Sequence, residues 1–131
     1  MAANFKPLFE LIPINAGITI VNADASTVKT ILTAGVNGCR IDGVLISSDD
    51  TAAVNLAFSI DISGTNYYIG NVLVPIGSGY TTVVRVDAIV TLAPANQTFI
   101  QMPSGAKLEV NAVATVTSGK TVTIIAIGGN F

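Results

Sequence analysis

The clearest stretch of alternating hydrophobic and polar residues lies between Ala53 and Val74, AVNLAFSIDISGTNYYIGNVLV. Val54, Leu56, Phe58, Ile60 and Ile62 fall on one face, and Asn55, Ala57, Ser59 and Asp61 on the other. That period of two marks a half-buried strand. Ser63-Gly64-Thr65-Asn66 supplies a reversal, because Gly and Asn tolerate positive φ. The chain then returns as Tyr67–Val74, which makes the stretch a long β-hairpin with a core-facing stripe in its first strand.

The rest of the chain divides in the same way. Residues 1–15 read as an arm. In it Phe5, Leu8, Phe9, Leu11, Ile12 and Ile14 are apolar, while Pro7 and Pro13 interrupt both helix and ladder. Gly17–Val21 is a first short strand and Val28–Ala34 a second, followed by an Asn37-Gly38 reversal. Cys39–Ser48 alternates until Gly43 and then runs apolar through Val44-Leu45-Ile46, the pattern of a β-bulge or of a strand entering a region buried on both faces. Thr81–Val90 reads as a strand with Thr82, Val84, Val86, Ala88 and Val90 on one face. Phe99–Met102 is a short strand. A second hairpin is expected from Leu108–Val116 and Thr121–Ile127, joined at Thr117-Ser118-Gly119-Lys120. Its last strand, apolar on both faces at Ile124–Ile127, belongs in the middle of a sheet or beneath a neighbouring subunit.

Eight or nine short strands between Gly, Pro, Asn and Ser turns predict an all-β chain. The expected fold is an antiparallel β-sandwich of jelly-roll or Greek-key type, residues 16–131, preceded by the N-terminal arm, residues 1–15. A length of 131 residues suits one core. Charged residues make up only 11% of the chain, against about 25% in an ordinary domain. Much of the surface must therefore be covered by Thr, Ser and Asn or by neighbouring subunits. A homo-oligomer, with a trimer preferred, is the expectation. A net charge of −2 without a Lys/Arg cluster excludes a nucleic-acid binder. No apolar run approaches the roughly 20 residues of a membrane-crossing helix, and the N-terminus lacks the apolar stretch of a signal peptide. One cysteine, Cys39, permits no disulfide within the chain and reads as a small buried hydrophobe.

Candidate chemistry is sparse. The chain has no His, which removes Ser-His and Cys-His nucleophile pairs and the commonest general base and zinc ligand. No catalytic, cofactor-binding or metal-ligating residue is therefore assigned, and an enzyme is not expected. Asp49 and Asp50 offer oxygen ligands in a loop, as calcium requires, but their spacing matches no ligand loop, and a turn capped by Asp is the favoured reading. Paired carboxylates among Asp42, Asp61 and Asp87 lack any sign of a sugar-binding cleft. Gly77-Ser78-Gly79 lacks the Lys and the helix N-terminus of a phosphate loop. Tyr67, Tyr68 and Tyr80 offer an aromatic platform, but adjacent strand residues point oppositely, so one of Tyr67 and Tyr68 is expected to be buried.

Five stretches in order, NFKPLFELIP, TAGVNGCRIDGVLISS, FSIDISGTNYYIGNVLVP, MPSGAKLEVNA and IIAIGGNF, resemble a family of small tailed-phage virion proteins. The resemblance covers most of the chain through turn and strand patterns. It implies a head decoration or cement subunit, a β-sandwich on the capsid exterior, often trimeric, that reinforces the contacts between capsomers. The implied partners are the major capsid protein or other virion subunits, and the implied location is the virion, after synthesis in the host cytoplasm. A tail or baseplate component, and a receptor- or carbohydrate-binding module on an appendage, are the alternatives. The family brings no active site, and Cys39 stands where a small polar residue is expected. Six large apolar side chains beside two prolines suit neither a central ladder nor a free tail. Phe5, Leu8, Phe9, Leu11, Ile12 and Ile14 are therefore expected either to form a docking arm on a neighbouring subunit or the capsid shell or to cover the open end of their own sandwich.

Overall fold

A computed structural model describes residues 12–131. Nine strands occur among them: β1 (Ile12–Val21), β2 (Lys29–Thr33), β3 (Cys39–Ser48), β4 (Val54–Ile62), β5 (Thr65–Val74), β6 (Val86–Asp87), β7 (Ile100–Met102), β8 (Lys107–Ala112) and β9 (Thr121–Asn130). A one-turn helix, α1 (Ile89–Leu92), lies between β6 and β7. The strands form two antiparallel sheets. Sheet A has the order β1-β9-β3, with β6 and β7 also paired to β3, and sheet B has the order β2-β8-β4-β5. This is the strand order of a jelly roll, two Greek keys folded into a sandwich. Within it β4 and β5 form the one long hairpin.

The core lies between the sheets. Leu56 and Phe58 of β4, Leu108 and Val110 of β8, Ile41, Val44 and Ile46 of β3, and Ile124 of β9 are all fully buried. Of the two alternatives at Gly43, a bulge or entry into a region buried on both faces, the bulge is present, since the register of β3 against β9 slips between Ile41 and Gly43. Its effect on burial is direct. Cys39 and Ile41 are buried before it, and Val44, Ile46 and Ser48 after it, so the strand changes phase without turning its apolar residues to water. β9 is central, as its composition predicts, with β1 on one side and β3 on the other. Close approach there depends on Gly128, where an added Cβ would overlap the Arg40 carbonyl oxygen.

Several expectations are corrected. β1 begins at Ile12, so Ile12–Asn15 are ladder residues paired with β9 and not part of an arm. Among the described residues β1 is an edge strand, where Pro13 is tolerated. The Thr19 carbonyl accepts from Lys29 Nζ, and the Val21 N–H donates to Asp24, so the odd-numbered residues of β1 point their backbone groups away from β9. Pro13 belongs to that set, and its missing donor costs no ladder bond.

Thr81–Val90 is not a strand. Only Val86 and Asp87 pair, with Ile46 and Leu45, and Val84 and Val90 are largely exposed. The local reason is Thr81, whose hydroxyl donates to the Gly77 carbonyl and accepts from the Val83 N–H, offering the backbone a turn in place of a ladder. Leu108–Val116 and Thr121–Ile127 do not form a hairpin either. β8 pairs with β2 and β4, β9 pairs with β1 and β3, and residues 113–120 cross between the sheets, with Val116 buried and Ala114 exposed. The β4–β5 turn is tighter than expected. Ser63 and Gly64 alone form it, at φ of 53° and 86°, the two positive values of a type I′ reversal. Along β4, Val54, Leu56 and Phe58 are buried, but Ile62 at the tip is exposed.

Candidate functional site

Carboxylates are the chain's main candidates for chemistry, and the structure turns most of the described aspartates into clamps on the backbone. The tightest is at Asp49–Asp50, where the chain leaves sheet A for sheet B. Asp50 is 2% exposed, and its carboxylate is fully engaged. Oδ1 accepts from the Thr117 hydroxyl at 2.6 Å and from the Ala52 N–H at 2.9 Å, and Oδ2 accepts from the Thr117 N–H at 2.9 Å. Asp49 Oδ1 accepts from the Thr121 N–H at 2.7 Å. The two carboxylates therefore grip both ends of the turn that leads into β9. Burial raises the Asp50 carboxyl, but the hydrogen bonds from Thr117, Ala52 and Thr51 outweigh it and hold the group below its ordinary value of 3.8. A carboxylate so occupied is a poor base and a poor cation ligand.

Asp87, Asp24 and Asp61 are used in the same way, while Asp42 forms an ion pair. Asp87 Oδ1 accepts from the Val44 N–H at the β3 bulge and from the Ile89 N–H at the start of α1, both at 3.1 Å, which ties the helix to the bulge. Asp24 accepts from the Val21 N–H and pairs with Lys29 at 3.3 Å. The Val21 N–H is the main reason that the Asp24 carboxyl lies below the usual range; desolvation opposes it and Lys29 adds to it. Asp61 accepts from the Gly64 N–H in the hairpin turn, and Asp42 pairs with Arg40 at 2.7 Å. Arg40 also stacks over the Phe99 ring, 3.9 Å from its centre. Among the described residues, no three His, Cys, Asp or Glu side chains gather as a metal site would require. No helix among them is long and apolar enough to cross a membrane.

An open groove of about 580 Å³ is lined by Leu45, Ser47, Gly79, Val84, Arg85 and Asp87. Its mixed lining offers an apolar strip, the Ser47 hydroxyl, the Arg85 cation and the Asp87 carboxylate, whose Oδ1 is already held by two backbone N–H groups. Cys39 is buried, as expected of a small hydrophobe.

Of the docking-arm residues, Phe5, Leu8, Phe9 and Leu11 lie outside the described residues. Ile14 packs against the core, and Ile12 is exposed at the start of β1, so these two belong to the sandwich. Tyr67 and Tyr68 are both exposed, contrary to the expectation that one is buried. They do point oppositely. Tyr68 pairs with Ser59 on the outer face of sheet B, and Tyr67 pairs with Ile60 on the inner face. The hairpin has run past the core at that point, as the exposure of Ile62 also shows, so the inner face is open to water there. Alternation alone does not reveal where a strand outruns its core or which strands lie at sheet edges, and both decide where exposed apolar residues collect. No protein-family model matches the chain, and no curated protein matches it.

Proposed function

We propose that the chain is a structural subunit of a tailed-phage virion, a decoration or cement protein that reinforces the head without catalysing a reaction. The observation that supports this most directly is the exposed surface. Tyr67, Tyr68, Leu73, Val84 and Val90 stand in solvent on a chain of low charge, and its described aspartates are occupied by structural hydrogen bonds and ion pairs. Uncharged apolar surface on a sandwich is the material of protein–protein contacts. The resemblance to small virion proteins gives those contacts their context, and self-association belongs to the same reading. Mass spectrometry of purified particles tests it. Copies in a fixed ratio to the major capsid protein are the expected result. A handful per particle moves the assignment to the tail or baseplate, and absence from the particle overturns it.

A further inference from the structure

A sandwich of two open sheets has four edges, and an edge strand exposes backbone groups on which another chain can pair. Three of the four are blunted here. β1 carries Pro13 on its open side, and its far end is covered by Lys29 on the Thr19 carbonyl and Asp24 on the Val21 N–H. β2 is only five residues long, begins with Lys29 and is broken by an irregularity between Thr30 and Leu32. The edge beyond β3 consists of two fragments, β6 and β7, of two and three residues.

β5 is the exception. It has ten residues, TNYYIGNVLV, with no charge and no Pro. Among the described residues, no backbone hydrogen bond reaches its outer side. Its register against β4 slips at Ile69, a bulge that divides the edge but leaves Thr65–Tyr68 and Gly70–Val74 on either side. Leu92 of α1 approaches Gly70, and Val90 of the same turn is exposed. Tyr68 pairs with Ser59, and Leu73 with Asn55, so both belong to the outer face of sheet B, where Tyr68 donates to Asn71.

We propose that β5 is the surface on which a second copy of this chain docks. The two β5 strands run antiparallel about a two-fold axis at Asn71, and sheet B continues as eight strands. Gly70 of one copy then meets Val72 of the other, and the bulge at Ile69 is passed over. Beyond it Tyr68 lies against Leu73, an aromatic–aliphatic cross-strand pair made twice by the symmetry. A strand without charge meets its own copy without repulsion, which is the electrostatic condition for self-pairing. The large exposed side chains of β5 itself, Tyr67, Tyr68 and Leu73, are 54% to 66% exposed. They amount to roughly 370 Å² per copy at about 200 Å² for a large side chain, below the roughly 800 Å² of a standard interface. A contact of that size lies with weak, transient interfaces, so the dimer is sought at tens of micromolar. The inference rests on the self-association within the proposed function and replaces the expected trimer contact with a two-fold one.

Sedimentation equilibrium of the full chain at tens of micromolar tests it, with circular dichroism confirming the fold of each variant. The wild type is expected to be a dimer. Leu73→Lys and Tyr68→Glu are each expected to weaken it at least tenfold, and the double variant to recover it, because the two new side chains then face each other with opposite charge. Thr19→Lys, on the β1 edge, is expected to leave the dimer unchanged. A wild-type monomer overturns the proposal, as does an oligomer that Leu73→Lys does not weaken. Hydrogen exchange on the wild type guards against misfolded variants: the β5 amides must slow as concentration rises, and invariance overturns the contact. The two readings fail separately. A β5 dimer absent from particles removes only the virion role, and a particle-bound trimer insensitive to Leu73→Lys removes only the β5 contact.

Discussion

The Asp50 carboxylate is almost out of reach of water and is held by hydrogen bonds, two of which come from Thr117 in the distant β8–β9 crossover. Removing it leaves the Thr117 N–H and hydroxyl without their partner at the end of the sandwich. Hydrogen bonds to a charged group contribute about 1.5–3 kcal/mol each, and they are not additive, so Asp50→Ala is expected to cost on the order of 3 kcal/mol in urea melts. The same site predicts a pH dependence. Because the folded-state pKa of Asp50 is depressed, its contribution is present above the unfolded value near 4 and is lost as pH falls through the folded value. Asp24 titrates in the same direction. Stability of the wild type should therefore fall below about pH 4, and Asp50→Asn should be less stable at neutral pH and lose less on acidification. Parallel acid profiles for the two proteins would contradict this assignment.

At the level of elements, the β4 stripe carries the core. Phe58→Ala is expected to cost about 3–5 kcal/mol, because Phe58 is fully buried between the sheets. Asp61→Asn should be nearly silent, since the amide oxygen can still accept from the Gly64 N–H. Equal losses in urea would reverse the facing of β4. Gly128→Ala should disrupt the β3–β9 ladder, and loss of amide protection at Arg40 and Ile41 would report it. What is legible in the residues follows the same division. The alternation in β4 and the change of phase at Gly43 are imposed by burial, so they are written into the sequence, whereas the double-sided apolar run in β9 is buried only at Ile124 and Ala126 and leaves Ile125 and Ile127 exposed on its outer face. Thr81–Val90 alternates just as well but must bridge from sheet B to the outer edge of sheet A, and Asp87 is drawn into capping α1 and the β3 bulge. β8 and β9 alternate like a hairpin because each faces the same core from a different sheet. Pattern sets the face of a strand and leaves its neighbour open, which is why the clamp from Asp50 to Thr117 and the free edge of β5 emerge only from the fold.

For the whole molecule, the proposed docking arm has a sharper boundary than its apolar residues suggest. Ile14 packs against the core and Ile12 belongs to the β1 ladder, so the candidates left for the arm are Phe5, Leu8, Phe9 and Leu11. Burying each on another surface would contribute roughly 1.5–3 kcal/mol before the cost of ordering the segment is subtracted. A chain beginning at Ile12 keeps all ten β1–β9 pairs, from Ile12 with Asn130 to Val21 with Thr121, and is expected to fold. A chain beginning at Ala16 loses the pairs of Ile12, Pro13, Ile14 and Asn15, and withdraws Ile14 from the core. It is expected to melt at lower temperature for that reason alone, so only the longer of the two isolates the arm. If the arm docks in trans, the chain beginning at Ile12 melts like the full chain but no longer binds particles. A molten or insoluble product from that chain would instead make residues 1–11 a cover for their own sandwich.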